Sequence, residues 1–370
     1  MKLPPFKLER YFARYEFAVE YLLCSSDCES MTVGELLALS PAAAEGFQRH
    51  WLGYTESQGA PGLRIEISKI YTTIAPEQVL VHTGAEEAIF LFMHAALSAG
   101  DHLIVHAPGY QSLAEVARGL GCQVTSWEAR PAQDWALDLE ELRDAIRPST
   151  RALVINMPHN PTGYLMSAES FARLMQMVRE HRLILFADEV YRESEYAAQD
   201  RLPAACDLDE QAVSLGVLSK SYGLPGLRIG WVATRNARIL EAMAMLKDYT
   251  TICNSAPSEF LAELALQHRA ALAQRSRRII TANLTILDEF FSRHAELFEW
   301  QRPKAGPIAF PRLKRGGVER FCHQLAATAG VLLLPGSVYD DNSNHFRIGF
   351  GRRNLPQALA RLEDFLQAYP

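Results

Sequence analysis

The sequence predicts an α/β protein: a large, doubly wound, mostly parallel sheet of seven strands, followed by a smaller α+β C-terminal domain. Three observations lead there. From residue 78 to residue 235, short apolar and β-branched runs alternate with amphipathic helical stretches, the pattern of a parallel sheet covered on both faces. Beyond that stretch, long helical patterns surround a few short strand signals. At 370 residues the chain exceeds one ordinary core, which favours a large domain with a smaller companion. The expected organisation is an arm over residues 1–30, a large domain over 31–250 and a small domain over 251–370. The arm is expected to pack on the small domain or on a partner subunit.

The elements follow in order. "QVLVHTG" reads as a strand ending at Gly84, and "AEEAIFLFMHAALSAG" as a helix stopped by its closing glycine. "DHLIVHAP" is a strand, "YQSLAEVARGLG" a helix and "CQVTSWEA" a strand. "LDLEELRDAI", "RALVINMP", "AESFARLMQMVREH" and "LILFADEV" alternate as helix, strand, helix and strand. "AVSLGVLS" and "RIGWVAT" complete the seven strands. Helices are then expected at "ARILEAMAMLKDY" and across 258–294, and short strands at "IAFPRL", "VLLLPG" and "HFRIGF". A closing helix, "LPQALARLEDFLQAY", ends the series.

Composition narrows the partners. Apolar residues make up 48% and charged residues 22%, with a formal net charge of −6. That balance argues against nucleic acid or an anionic membrane as the main partner. The start, "MKLPPFKLERYF", lacks the pattern of a secretory signal. No stretch has the roughly 20 apolar residues of a membrane helix. The six cysteines are scattered and form no zinc-type spacing, so a metal site is not expected. A reduced, cytoplasmic protein fits this usage.

In open α/β sheets, ligands bind beyond the carboxyl ends of the strands. Those ends read Thr83-Gly84-Ala85-Glu86, Pro108-Gly109-Tyr110, Pro158-His159-Asn160-Pro161, Asp188-Glu189-Val190-Tyr191 and Ser219-Lys220. Asp188 closes an apolar run, so its carboxylate needs a cation or several donors, such as a protonated pyridine nitrogen. The plain alternative is a helix cap. Gly84 and Ala85 precede a helix, where free amides bind phosphate. Arg228 can add opposing charge, or form a surface ion pair. Tyr110 can stack on a flat ring or simply pack. Asn160 can donate to a phenolic oxygen or stabilise its turn. Lys220, among apolar neighbours and near Arg228, has its charged form disfavoured, and a neutral amine is the nucleophile that Schiff-base chemistry needs. Its alternative is to reach the surface along its own stem. As an ordered set these residues fit pyridoxal phosphate.

Several motifs carry a family resemblance: "TGAEEA", "GDHLIVHAPGYQSL", "NMPHNPTG", "FADEVY", "LSKSYGLPGLRIGW", "LLLPGSVY" and "FRIGF". Over nearly its whole length the chain resembles the class I/II aminotransferases, fold-type I pyridoxal-phosphate enzymes of amino-acid metabolism. The resemblance implies pyridoxal 5′-phosphate bound to Lys220 as a Schiff base, with Asp188 on the pyridine nitrogen. It implies Asn160 and Tyr191 at the ring hydroxyl and Tyr110 on the ring. Gly84, Ala85, Glu86, Ser219 and Arg228 would lie around the phosphate. Arg347 would clamp the substrate α-carboxylate in a two-pronged pair. "GYTESQGAPGLR" resembles the segment in which Tyr54 enters the neighbouring subunit's phosphate site, which implies a homodimer with shared active sites. One position departs from the pattern: Val217 stands where the family carries Ser or Thr, so one phosphate contact is missing.

The resemblance implies a freed Lys220 amine taking the substrate's α-proton. Reprotonation at the cofactor followed by hydrolysis is transamination of an L-α-amino acid, the expected reaction. The alternative is elimination and ring closure. Its motive is that "LERYF", "PHNPTG", "LSKSYGLPGLRIGW", "AFPRL" and "FRIGF" also resemble capreomycidine synthase-like cyclases of guanidino amino acids such as hydroxyarginine. Glu9 or Asp27 could then meet a guanidinium, whereas the plain reading of Glu9 is a solvated charge. Aminotransferase-like domains also occur in DNA-binding regulators, but the stretch before the first family motif is not basic.

Overall fold

The computed structural model of the chain describes residues 2–369. At its centre are β1 Val79–His82, β2 His102–Ala107, β3 Gln123–Glu128, β4 Thr150–Asn156, β5 Ile184–Asp188, β6 Ala212–Val217 and β7 Gly230–Thr234. They form one sheet in the order β1-β7-β6-β5-β4-β2-β3. All seven expected strands are present. Six run the same way, and β7 pairs antiparallel with both β6 and β1.

The apolar runs become strands because both faces are covered. Leu153 and Leu185 face one core, and Val154, Phe186, Leu215 and Val232 face another. The edge strand β3 differs: Gln123 and Glu128 are exposed, and polar residues blunt its free side. The carboxyl ends of β1, β2, β4, β5 and β6 share one edge of the sheet. Reversed β7 delivers its amino end there instead, with Gly230 opposite both His82 and Val217. That reversal brings Arg228 to the edge where the other strands end.

The C-terminal portion contains a three-stranded antiparallel sheet of Leu334–Pro335, Phe346–Gly349 and Ile308–Ala309. The "IAFPRL" stretch forms two short strands, Ile308–Ala309 and Arg312–Leu313, rather than one. The expected helical span over 258–294 is two helices, Ala256–Gln267 and Arg269–Arg293, broken at His268. The first packs Leu261, Ala262 and Ala265 with Leu63, Ile67 and Trp231 beside the large sheet. In the second, Leu272 and Ala273 still belong to that core, while Ile280, Leu284 and Leu287 join Phe298, Phe346 and Ile348. The change of core therefore falls inside one long helix.

The arm begins with α1, Lys7–Tyr15, and packs on the C-terminal portion. Tyr11 Oη donates to Leu333 O at 2.9 Å. Leu332 N donates to Tyr21 O at 2.9 Å and Gly349 N to Leu23 O at 3.0 Å. Buried Leu8 and Leu23 anchor it, each worth about 2 kcal/mol by removal from water. Among the described residues, no helix is long and apolar enough to cross a membrane.

Candidate active site

The arm and the carboxyl edge of the sheet enclose a cavity of about 340 Å³. Lys220 reaches it from the turn after β6. Its Nζ donates to Ser26 Oγ at 2.8 Å and lies 6.0 Å from the centre of the Tyr191 ring. Burial lowers the Lys220 pKa and nearby Arg347 and Arg228 push the same way, while Asp27 and Asp188 oppose them. The amine is thus biased toward its neutral, nucleophilic form.

Asp188 closes β5, where only 5% of it is exposed. Its Oδ1 accepts from Val190 N at 3.2 Å, and among the described residues it has no ion-pair partner. Burial pushes its carboxyl up to about 7. Asn156, at the end of β4, ties the neighbouring turn to this strand. Its Nδ2 donates to Asp188 O at 3.0 Å, and its Oδ1 accepts from Asn160 N at 2.7 Å.

Arg347, in the strand Phe346–Gly349, is 1% exposed. Nε and Nη2 donate to Cys24 O at 3.0 and 2.8 Å, and Nη1 to Asn160 Oδ1 at 3.2 Å and to Tyr339 Oη. Every one of these acceptors is neutral, so the guanidinium keeps its charge for a carboxylate ligand. Asn160 Oδ1 also accepts from Tyr339 Oη at 3.1 Å, which leaves the Asn160 Nδ2 for a ligand. Tyr191 Oη donates to Ser26 O at 3.0 Å, and burial raises its pKa. Tyr110 rests against Phe6 of the arm, ring centres 5.1 Å apart.

A close-packed cradle lies at the start of the helix Gly84–Ala96. Gly84 has φ +80°, and a Cβ there would fall 2.5 Å from Arg228 Nη2. A Cβ on Gly230 would fall 2.8 Å from the Gly84 carbonyl carbon. Both positions need glycine so that backbone and guanidinium can approach. The first-turn amides have no partners within the helix, a ready anion site. Glu86 turns aside: its Oε2 accepts from Ser112 Oγ at 3.0 Å, and burial pushes its carboxyl up to about 7. Ala85, Val217 and buried Ser219 complete this end of the cavity.

The arm supplies further lining residues. Glu9 and Asp27 both line the cavity, joined by Glu16, whose backbone ends α1. Glu16 has its pKa raised by burial and by Glu9 and Asp27, with Arg352 opposing. Asp27 Oδ1 meets Arg352 Nη2 at 3.2 Å.

Of the residues singled out in the sequence, Tyr54 alone points away; it is 86% exposed, alongside exposed Trp51 and Leu52. Phe12, Glu16, Ser26, Asn156 and Arg352 were not singled out, yet they line the cavity. Phe12 and Glu16 share the helical face of Glu9 and were findable by that spacing. Arg352 and Ser26 carried no such signal.

The side chains suit pyridoxal 5′-phosphate. A buried carboxylate without a cation suits a protonated ring nitrogen. The glycine-floored cradle with Arg228 suits a phosphate, and a buried amine whose pKa is lowered suits an aldehyde.

The comparisons agree. The family model "Aminotransferase class I and II" matches residues 21–362. The chain is 31% identical to a capreomycidine synthase from Streptomyces vinaceus, over 98% of this chain and 94% of that one. A PLP-dependent aminotransferase structure from Streptococcus suis superposes with a TM-score of 0.94 at 33% identity, covering 100% and 99% of the two chains. The structure of the PLP-dependent cyclase OrfR superposes with a TM-score of 0.91 at 30% identity, covering 100% and 99%. This protein therefore belongs to the class I and II aminotransferase family, and its cofactor is pyridoxal 5′-phosphate.

Proposed function

We propose that the chain acts on a guanidino amino acid such as hydroxyarginine and closes a ring on it. One observation carries this reading: the cavity that buried Arg347 lines is also lined by three carboxylates, Glu9, Glu16 and Asp27. An α-amino acid with a cationic side chain matches that set of charges. The capreomycidine synthase and the OrfR cyclase, both at least 30% identical over nearly the whole chain, support it.

When bound, pyridoxal 5′-phosphate supplies an aldehyde for amines and a cationic ring that draws electrons from the substrate's α-carbon. In this reading Lys220 Nζ would hold the aldehyde and Asp188 the ring nitrogen. Asn160 and Tyr191 would serve the ring hydroxyl and Tyr110 the ring. Arg228, Ser219 and the amides of Gly84, Ala85 and Glu86 would hold the phosphate. Arg347 would fix the substrate carboxylate, and Lys220 Nζ would take the α-proton. The hydroxyl on the next carbon leaves as water, and a guanidino nitrogen bonds to that carbon while the α-carbon regains a proton. The net change is loss of one water.

Transamination of an L-α-amino acid is the second reading, favoured by the likeness to the Streptococcus suis aminotransferase. A single-turnover absorbance scan of the yellow holoenzyme separates the two. Arginine and hydroxyarginine are added without any keto acid. Return to the yellow form with loss of water supports ring closure. Bleaching with release of a keto acid overturns it in favour of transamination.

We also propose a homodimer in which Tyr54 completes the partner's phosphate site. Its exposure beside Trp51 and Leu52 supports this reading. Mixing Lys220→Ala with Tyr54→Phe chains tests it: recovery of one intact site per mixed dimer is expected. A cytoplasmic location goes with the six free cysteines among the described residues.

A further inference from the structure

Arg352 brings a guanidinium of the protein's own to the carboxylates that line the cavity. Its Nη2 reaches Asp27 Oδ1 at 3.2 Å and Ser25 Oγ at 3.3 Å. Its Nε is buried without a hydrogen-bond partner. This is a one-pronged contact, short of the two parallel bonds an arginine and a carboxylate make at their best. Among the described residues Arg352 is the one cation in an ion pair with any of the three carboxylates, and neither Glu9 nor Glu16 forms one. The backbone of Arg352 is fixed separately, because Asn283 Nδ2 donates to Arg352 O at 2.7 Å. Its side chain can therefore swing without moving the strand behind it.

We propose that Arg352 is a specificity-determining residue: its guanidinium is an internal competitor for Asp27, displaced only by a substrate whose own guanidino group reaches that carboxylate. The inference rests on the guanidino reading above. Chemically, the protein holds on Asp27 a copy of the group that the substrate brings. A neutral side chain of the same length offers nothing to replace Arg352 and leaves the pair closed. A guanidino side chain takes Asp27, and Glu16, left without an ion-pair partner, is the carboxylate nearest to hand for the displaced arginine. Discrimination then depends on exchange of one guanidinium for another on Asp27, so that this carboxylate is paired in both states.

The test titrates the holoenzyme with L-arginine and with L-norvaline, which carries the same three-carbon stem without the guanidino group, following the cofactor's absorbance. In the unaltered protein arginine binds more tightly than norvaline. In Arg352→Gln the Kd for arginine falls by about 5- to 10-fold, the scale of an ion pair no longer to be displaced, while norvaline is unchanged. Asp27→Asn removes the preference for arginine and leaves norvaline unchanged, which tests the proposal even if Arg352→Gln does not fold. Unchanged or weaker arginine binding in Arg352→Gln, with the preference intact in the unaltered protein, overturns the competitor role alone. No preference in either protein overturns the guanidino reading along with it.

Discussion

Replacing Asp188 by Asn should stabilise the cofactor-free protein while weakening its hold on the cofactor. Burial moves the Asp188 carboxyl from 3.8 to about 7. At about 1.4 kcal/mol per unit, a charged Asp188 costs the empty fold roughly 4 kcal/mol. The folded carboxyl keeps its proton over a pH range in which the unfolded one has lost it, so stability falls as pH rises through that range. The penalty is absent below the unfolded value and complete above the folded one. Asn is neutral throughout and retains an oxygen for Val190 N. Cofactor-free Asp188→Asn should therefore gain on the unaltered protein by roughly 3 kcal/mol between about pH 5 and about pH 8. Urea denaturation followed by circular dichroism reads this difference. With pyridoxal 5′-phosphate present the order should reverse, because the neutral amide loses the charge attraction for the ring nitrogen. A stability gap independent of pH, or one that shrinks from about pH 5 to about pH 8, would refute the reasoning.

Three further outcomes follow from the same geometry. Lys220→Ala should abolish turnover yet leave the melting temperature unchanged or higher, since it removes a buried amine whose one bond is to Ser26 Oγ; full turnover would sink the site. Gly84→Ala places a Cβ 2.5 Å from Arg228 Nη2 at φ +80°, so the cofactor Kd should rise at least about tenfold, from backbone strain of order 1–2 kcal/mol plus a displaced guanidinium. An unchanged Kd in an absorbance titration would count against the cradle. Val217→Ser should lower that Kd about 5- to 30-fold by restoring a hydroxyl for the phosphate, at about 1 kcal/mol of stability in the cofactor-free protein; equal Kd values would show that the phosphate lies elsewhere.

The large sheet was legible because its strands are buried on both faces, so Leu153-Val154-Ile155 and Leu185-Phe186-Ala187 read as unbroken apolar runs. The break at His268 was not, since apolar periodicity continues on either side and only the turn of the backbone separates the helices. Lys220, Asp188 and Asn160 were legible as polar residues at the ends of apolar strands, where chemistry is concentrated. Arg352 was invisible, because its meaning depends on Asp27, a residue 325 positions away. Glu16 lay between: it shares a helical face with Glu9, but only the folded arm shows that this face looks inward.

The arm's attachment has a consequence for how the protein is made. Cys24 O receives two bonds from Arg347, 323 residues later, and Leu23 O is reached by Gly349 N. During synthesis this part of the arm waits for a strand 323 residues later before these hydrogen bonds exist. The seven-stranded sheet can assemble on the nascent chain, but the pocket acquires its floor at Ser26 and its lid at α1 only after the strand Phe346–Gly349 emerges. Domains fold as units while translation proceeds at about 5–20 residues per second, so a chain stalled between the sheet and that strand holds Lys220 and Asp188 in an open cleft. Closure of the site therefore waits for the strand Phe346–Gly349, and a protein shortened before residue 346 lacks the groups that hold Leu23 and Cys24 of the arm.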